Sequence, residues 1–183
     1  AGGVAARHLA RTDAAVVALF GAGAQARAQL EAVMAVRTIE RVLIVDPVDA
    51  AARRLSADIA NWPEAPEVIL KMSPRSAVLQ ADIVLGAFKP DMQEIDAATI
   101  QRARVVVDQR EAAMAEAGDI ILGKALIDAE IGDIINGVQP GRQNDDEITF
   151  FKSVGLAVQD AATAAAVLRA AEKKRLGTVI DMS

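Results

Sequence analysis

The stretch VVALFGAGAQARAQL, residues 16–30, constrains the fold more than any other part of this chain. A valine-rich apolar run, AAVVALF (14–20), stops at Gly21. Beyond the glycines, Ala26, Leu30, Val33 and Met34 recur at helical spacing. A short apolar run of this kind suits a strand buried on both faces, and the spacing that follows suits a helix packed on it. The turn between them reads G-x-G-x-x-A. Gly21 permits a tight exit from the strand. Gly23 lets the backbone approach a pyrophosphate, and Ala26 keeps the helix close to the sheet. The helix start then offers free N–H groups and partial positive charge to phosphates. Gly21, Ala22, Gly23, Ala24 and Gln25 are therefore candidate cofactor-binding residues.

A glycine pattern alone is weak, and its context adds the weight. A second buried strand, RVLIVD (41–46), ends in Asp46, 20 residues after Ala26. A carboxylate there can accept hydrogen bonds from a ribose diol and repels a 2′-phosphate. Pro47 and Val48 bring no positive charge, although Arg53 and Arg54 follow on the next helix. NAD is expected in preference to NADP. The alternative is a glycine turn without a ligand, with Asp46 as an ordinary helix cap.

The rest of the chain repeats the alternation. Helices are expected over 3–11, 49–60, 73–80 and 96–103, the third with Ser73 as N-cap and Pro74 at its first position. Strands are expected over 67–71, 81–88 and 104–108. Alternating strands and helices predict an α/β fold, a Rossmann-type doubly wound parallel sheet covered on both faces. After Asp108 the pattern turns helical, through QREAAMAEAGDIILG and DAEIGDIING. A polar turn (139–147) leads to ITFF and a long helix from about Val154 to Glu172. Residues 12–150 read as the nucleotide-binding domain, with 1–11 and 151–183 as helical segments beside it.

Composition removes several classes of function. The chain has no cysteine, which excludes disulfides, thiolate zinc sites and cysteine nucleophiles. His8 is the sole histidine and sits in an amphipathic helical pattern, so no histidine metal cluster and no metal site are expected. Acid–base chemistry then falls to Asp, Glu or Lys. A net charge of −5 argues against nucleic acid or an anionic membrane as partner. The basic run EKKR (172–175) reads as a solvated helix end. No window approaches the ~20 apolar residues of a membrane span, and a cytoplasmic protein is expected.

Four ordered segments carry a resemblance to the ornithine cyclodeaminase/mu-crystallin family: FGAGAQARAQLEAV (20–33), GAFKPDMQEID (86–96), ARVVVDQREAAMAEAGDIIL (103–122) and DDEITFFKSVGLAVQDAATAAAVLRAAEKKRLGT (145–178). The resemblance implies NAD(P)-dependent chemistry on a small imino, keto or amino acid, in a homodimer. In that family a second domain, mostly from the N-terminal half, forms the dimer interface and holds the substrate. That half, where the family's substrate-binding Arg and Lys mainly lie, is not found in these 183 residues; the expectation is that segments of a longer protein are omitted, with a natural deletion as the alternative.

A passage of roughly 30 residues, a βαβ unit in size, also has no counterpart after Val84, so ADIVLGAF is expected to join two strand ends. Cyclodeaminases carry an aspartate where this chain has Phe88, which cannot transfer a proton. The loop resembles the ketimine-reductase version instead. The resemblance adds Phe88, Ser153, Val154 and Gly155 to the cofactor-binding candidates, the last three at an expected helix start, with a plain N-cap by Ser153 as an alternative that can coexist with that role. The catalytic residues are not identified; Lys89 and Asp91 are candidates, with plain loop residues as the alternative reading. Reduction of a cyclic ketimine or an imino or keto acid is the expected activity, with ornithine cyclodeamination or a non-catalytic, crystallin-like binding role as alternatives.

Overall fold

The computed structural model describes residues 1–86, 96–178 and 180. Helix α1 (Gly2–Leu9) leads into β1 (Val16–Phe20), α2 (Ala24–Met34), β2 (Arg41–Val45), α3 (Asp49–Ile59), β3 (Glu67–Ile69), α4 (Pro74–Gln80) and β4 (Ile83–Gly86). Then come α5 (Ala97–Ile100), β5 (Arg104–Val107), α6 (Arg110–Glu116), α7 (Gly118–Gly123), β6 (Ala129–Glu130), α8 (Ile131–Ile135), β7 (Thr149–Lys152) and α9 (Ala157–Lys174).

Among the described residues all strand pairs are parallel, as the alternation predicts, and they fall into two sheets. The first has the order β3-β2-β1-β4 and the second β6-β5-β7. The division falls between β4 and β5, next to the point where the sequence suggests a missing passage.

Side-chain alternation places the helices. Val17 and Leu19 of β1 join Ala26, Leu30 and Val33 of α2 and Ala52, Leu55 and Ile59 of α3 in one buried cluster. Val16 and Ala18 point the other way, against Ala77 of α4. Residues i and i+2 of a strand share a face, so β1 is covered on both sides and needs apolar residues at every position. In the second sheet Val105 and Val107 pack with Ala113, Ala117 and Ile120, while Val106 faces Ala5, Leu9 and Ile134. Helix α1 serves both cores, because Ala6 belongs to the first.

The strand starts are tied to one place. The carbonyl of Leu9 accepts from Thr149 Oγ1 at 2.9 Å and from Arg142 Nε at 2.6 Å. Two residues on, Arg11 pairs with Asp82, whose Oδ2 accepts from the N–H groups of Ala15 and Val16 at 3.0 and 2.9 Å. The starts of β7, β1 and β4 thus all converge on the C-terminal end of α1. Arg37 holds that end by donating to the carbonyls of Arg7, Ala10 and Arg11.

Three elements differ from the expectation. The helical run after Asp108 breaks at Ala117, which has extended geometry, into α6 and α7. The stretch DAEIGDIING begins as strand β6, since Val107 and Glu130 pair. Helix α9 starts at Ala157, not near Val154, because residues 153–155 are held by bonds to the second sheet. None of its residues is buried.

Candidate cofactor site

The first group of candidates lies where β1 becomes α2. The N–H of Gly21 still donates to Val45 at 2.9 Å, continuing the β1–β2 ladder. Gly21 then turns the chain with φ +91°, a region that favours glycine. Gly23 is the N-cap of α2 and supplies no side-chain cap. A Cβ built on Gly23 meets nothing within 4 Å, so the space above its backbone is open. The first N–H groups of a helix have no intrahelical acceptor, and those of α2 start in this exposed turn. Ala26 is buried against Leu30 and Val33, which brings the helix start close to the sheet.

Asp46 follows β2 directly. Its Oδ2 accepts from the N–H of Ala22 at 2.8 Å and its Oδ1 from the N–H of Val48 at 2.7 Å. It is therefore not the cap of α3, whose N-cap is Val48 without a side-chain bond. The carboxylate instead ties the glycine turn to the end of β2. A carboxylate offers about four acceptor positions, and these two bonds occupy one on each oxygen. On α3, Arg53 is engaged with Asp49 at 2.8 Å.

The second group lies at the ends of β5 and β7, where Val107 pairs with Lys152. Asp108 is 6% exposed. Its Oδ2 accepts from Ser153 Oγ at 2.7 Å and from the N–H of Gly155 at 3.0 Å, while Oδ1 accepts from the N–H of Gln109. The alternative of a plain N-cap by Ser153 does not hold: its hydroxyl is taken by a buried carboxylate, and Leu156 is the N-cap of α9. Val154 packs against the second core. Lys152 Nζ lies 2.9 Å from Asp119 Oδ2, at the start of α7.

Sequence reasoning missed Asp108 and Asp119 as participants. An aspartate straight after the apolar run VVV was the signal available, but its partners lie 45 residues on, beyond any local pattern.

Phe88, Lys89 and Asp91 lie outside the described residues. Among the described residues no cluster of His, Cys, Asp and Glu could hold a metal, and no helix is long and apolar enough to cross a membrane. A cleft of about 460 Å³ lies elsewhere, lined by Gln101, Lys124, Leu126 and Asp128. It sits at the start of β5, where Asp128 accepts from the N–H of Val105.

A parallel strand, a glycine turn, a helix and a carboxylate ending the next strand define a Rossmann-type unit. The sequence profile of the ornithine cyclodeaminase/mu-crystallin family matches residues 1–87 and 84–175, and the chain belongs to that family. The two matched stretches meet at the point where a passage was expected to be missing. The Delta(1)-pyrroline-2-carboxylate reductase of Bacillus cereus is 35% identical, over 98% of this chain and 64% of its own length. That alignment runs over 210 positions although this chain has 183 residues, so the relative carries residues that this chain lacks.

Among solved structures, the Thermococcus litoralis Delta(1)-pyrroline-2-carboxylate reductase in complex with NADH and L-proline superposes with a TM-score of 0.88 and 33% identity. It covers 97% of this chain and 64% of that one. An archaeal alanine dehydrogenase dimer with bound NAD gives a TM-score of 0.87 and 28% identity, covering 100% of this chain and 65% of that one. The chain thus spans less than two thirds of the length of these relatives.

Proposed function

We propose that this chain is the cofactor-binding part of an NAD-dependent oxidoreductase that reduces a cyclic ketimine, or an imino or keto acid, to an amino acid. The observation that carries the reading is the Gly21–Gln25 turn braced by Asp46, at the C-terminal ends of β1 and β2. Open sheets of this kind bind ligands outside the carboxyl ends of their strands. The exposed N–H groups of α2 suit a pyrophosphate, and the Asp46 carboxylate suits the adenosine ribose. Likeness to proteins solved with NADH or NAD supports the choice of cofactor.

Residues 12–150 would form the cofactor domain, and residues 1–11 and 151–183 the segments that join it to a substrate and dimerisation domain. The lack of any buried residue on α9 and the dimeric archaeal neighbour support a homodimer. When bound, NADH supplies the hydride. This chain's residues orient it: the helix start neutralises the pyrophosphate, and Asp46 holds the adenosine end. Ornithine cyclodeamination is disfavoured because Phe88 stands where a proton-transferring aspartate is needed.

The test is NADH oxidation by the whole protein with Delta(1)-pyrroline-2-carboxylate and with pyruvate plus ammonia, beside an assay of proline formed from ornithine with NAD. Turnover of an imine or keto acid supports the proposal. Proline formed from ornithine, with no turnover of imines or keto acids, refutes it.

A further inference from the structure

We propose that Asp108 is a positioning residue for the nicotinamide half of the cofactor, holding the Ser153–Gly155 turn in the shape that meets it; this rests on the NAD reading above. The argument starts from direction. The glycine turn lies at the end of β1 and Asp46 at the end of β2, so the adenosine end lies on the β2 side. An extended dinucleotide crossing the strand ends must place its other half on the opposite side of β1, toward β4 and beyond. The second sheet shares an anchor with the first. Its strand β7 starts from the same anchor on α1 as β1 and β4, through Thr149 to Leu9 and Asp82 to Arg11. The ends of β5 and β7 are therefore, like that of β1, the ends remote from this anchor.

At those ends stands one buried carboxylate. Asp108 Oδ2 takes two donors of the same turn, Ser153 Oγ–H and Gly155 N–H, at 2.7 and 3.0 Å. A buried carboxylate is costly unless its oxygens are hydrogen-bonded, so these bonds are held firmly. Gly155 bends the chain with φ +90° just before α9 and is exposed. The turn is thus gripped from beneath, by Asp108 and by the packing of Val154, while its outer side is open. Asp108 cannot itself reach a ligand through the turn; it acts by setting where the turn's backbone and the start of α9 lie.

The test compares two ligands that share the adenosine end, NADH and ADP-ribose, by calorimetry on this chain. Wild type is expected to bind NADH more tightly than ADP-ribose. In Asp108→Ala the NADH Kd should rise about tenfold, the worth of one to two hydrogen bonds to a charged group. ADP-ribose should stay within about twofold, because the glycine turn and Asp46 are untouched. Asp108→Asn and Ser153→Ala each keep part of the contact and should lose about threefold for NADH alone; they serve if the alanine variant does not fold. Equal weakening of both ligands, or of neither, overturns the positioning role, as does a wild type that binds the two equally. A wild type that binds neither overturns the NAD reading itself.

Discussion

Replacing Lys152 by Met should destabilise this protein by about 3–5 kcal/mol, the usual cost of removing one partner from a buried ion pair. Lys152 ends β7 and Asp119 opens α7, with 2.9 Å between Nζ and Oδ2. Their side chains are 12% and 2% exposed, so water screens the pair little. With an effective dielectric near 20, charges at this distance attract by about 6 kcal/mol, most of which repays their desolvation. Met keeps the aliphatic stem and removes the charge, which leaves the Asp119 carboxylate buried without its lysine.

The reverse change, Asp119→Asn, should cost less, about 1–3 kcal/mol. A lysine tail can bend toward water, whereas the short carboxylate at 2% exposure cannot follow. Urea unfolding followed by far-ultraviolet dichroism and by the fluorescence of the sole tryptophan, Trp62, measures both. With a slope of about 2–3 kcal/mol per molar urea, K152M should lower the midpoint by about 1–2 M. The double variant should fall short of the summed losses by about 2–3 kcal/mol. A K152M loss below about 1 kcal/mol, with additive double-variant energies, would refute the claim that this pair ties β7 to α7.

Leu30 is fully buried between α2 and the first sheet; Leu30→Ala should cost about 2–5 kcal/mol, read as a fall in Tm. Asp82 is partly buried, which raises its pKa, but donors from Ala15, Val16 and Arg11 outweigh this and hold it below its ordinary 3.8. Its contribution is therefore present above pH 3.8 and lost as the pH falls through the lowered folded value. Asp82→Asn should flatten the acid limb of a stability–pH curve, and an unchanged limb would contradict this. Asp46→Ala removes the acceptor of the Ala22 and Val48 N–H groups. It should weaken NADH binding at least tenfold while weakening NADPH binding less, measured by fluorescence titration; equal loss of both would remove Asp46 from cofactor selection.

The glycine turn was legible because every requirement on it is local. Gly21 needs a positive φ, Gly23 an empty space, and Ala26 a small side chain beneath α2, and all three lie within six residues. The buried strands β1, β2 and β5 were legible for a related reason: covered on both faces, each must be apolar throughout. Asp46 was half legible. Its place at the end of β2 follows from the sequence, but its bond to Ala22 joins residues 24 apart. The same limit explains Ser153, a plausible local cap whose hydroxyl a distant carboxylate takes.

By itself the sequence determined the order and type of the main elements, the glycine turn with its carboxylate, and the family. Those follow from periodicity and short-range steric rules. The tertiary structure alone decided that the described strands fall into two sheets, that α1 serves both cores, and that Asp108 and Asp119 are satisfied within the protein. Each of these depends on contacts between segments far apart in the chain. A buried polar group must be paired with whichever partner the packing brings within reach.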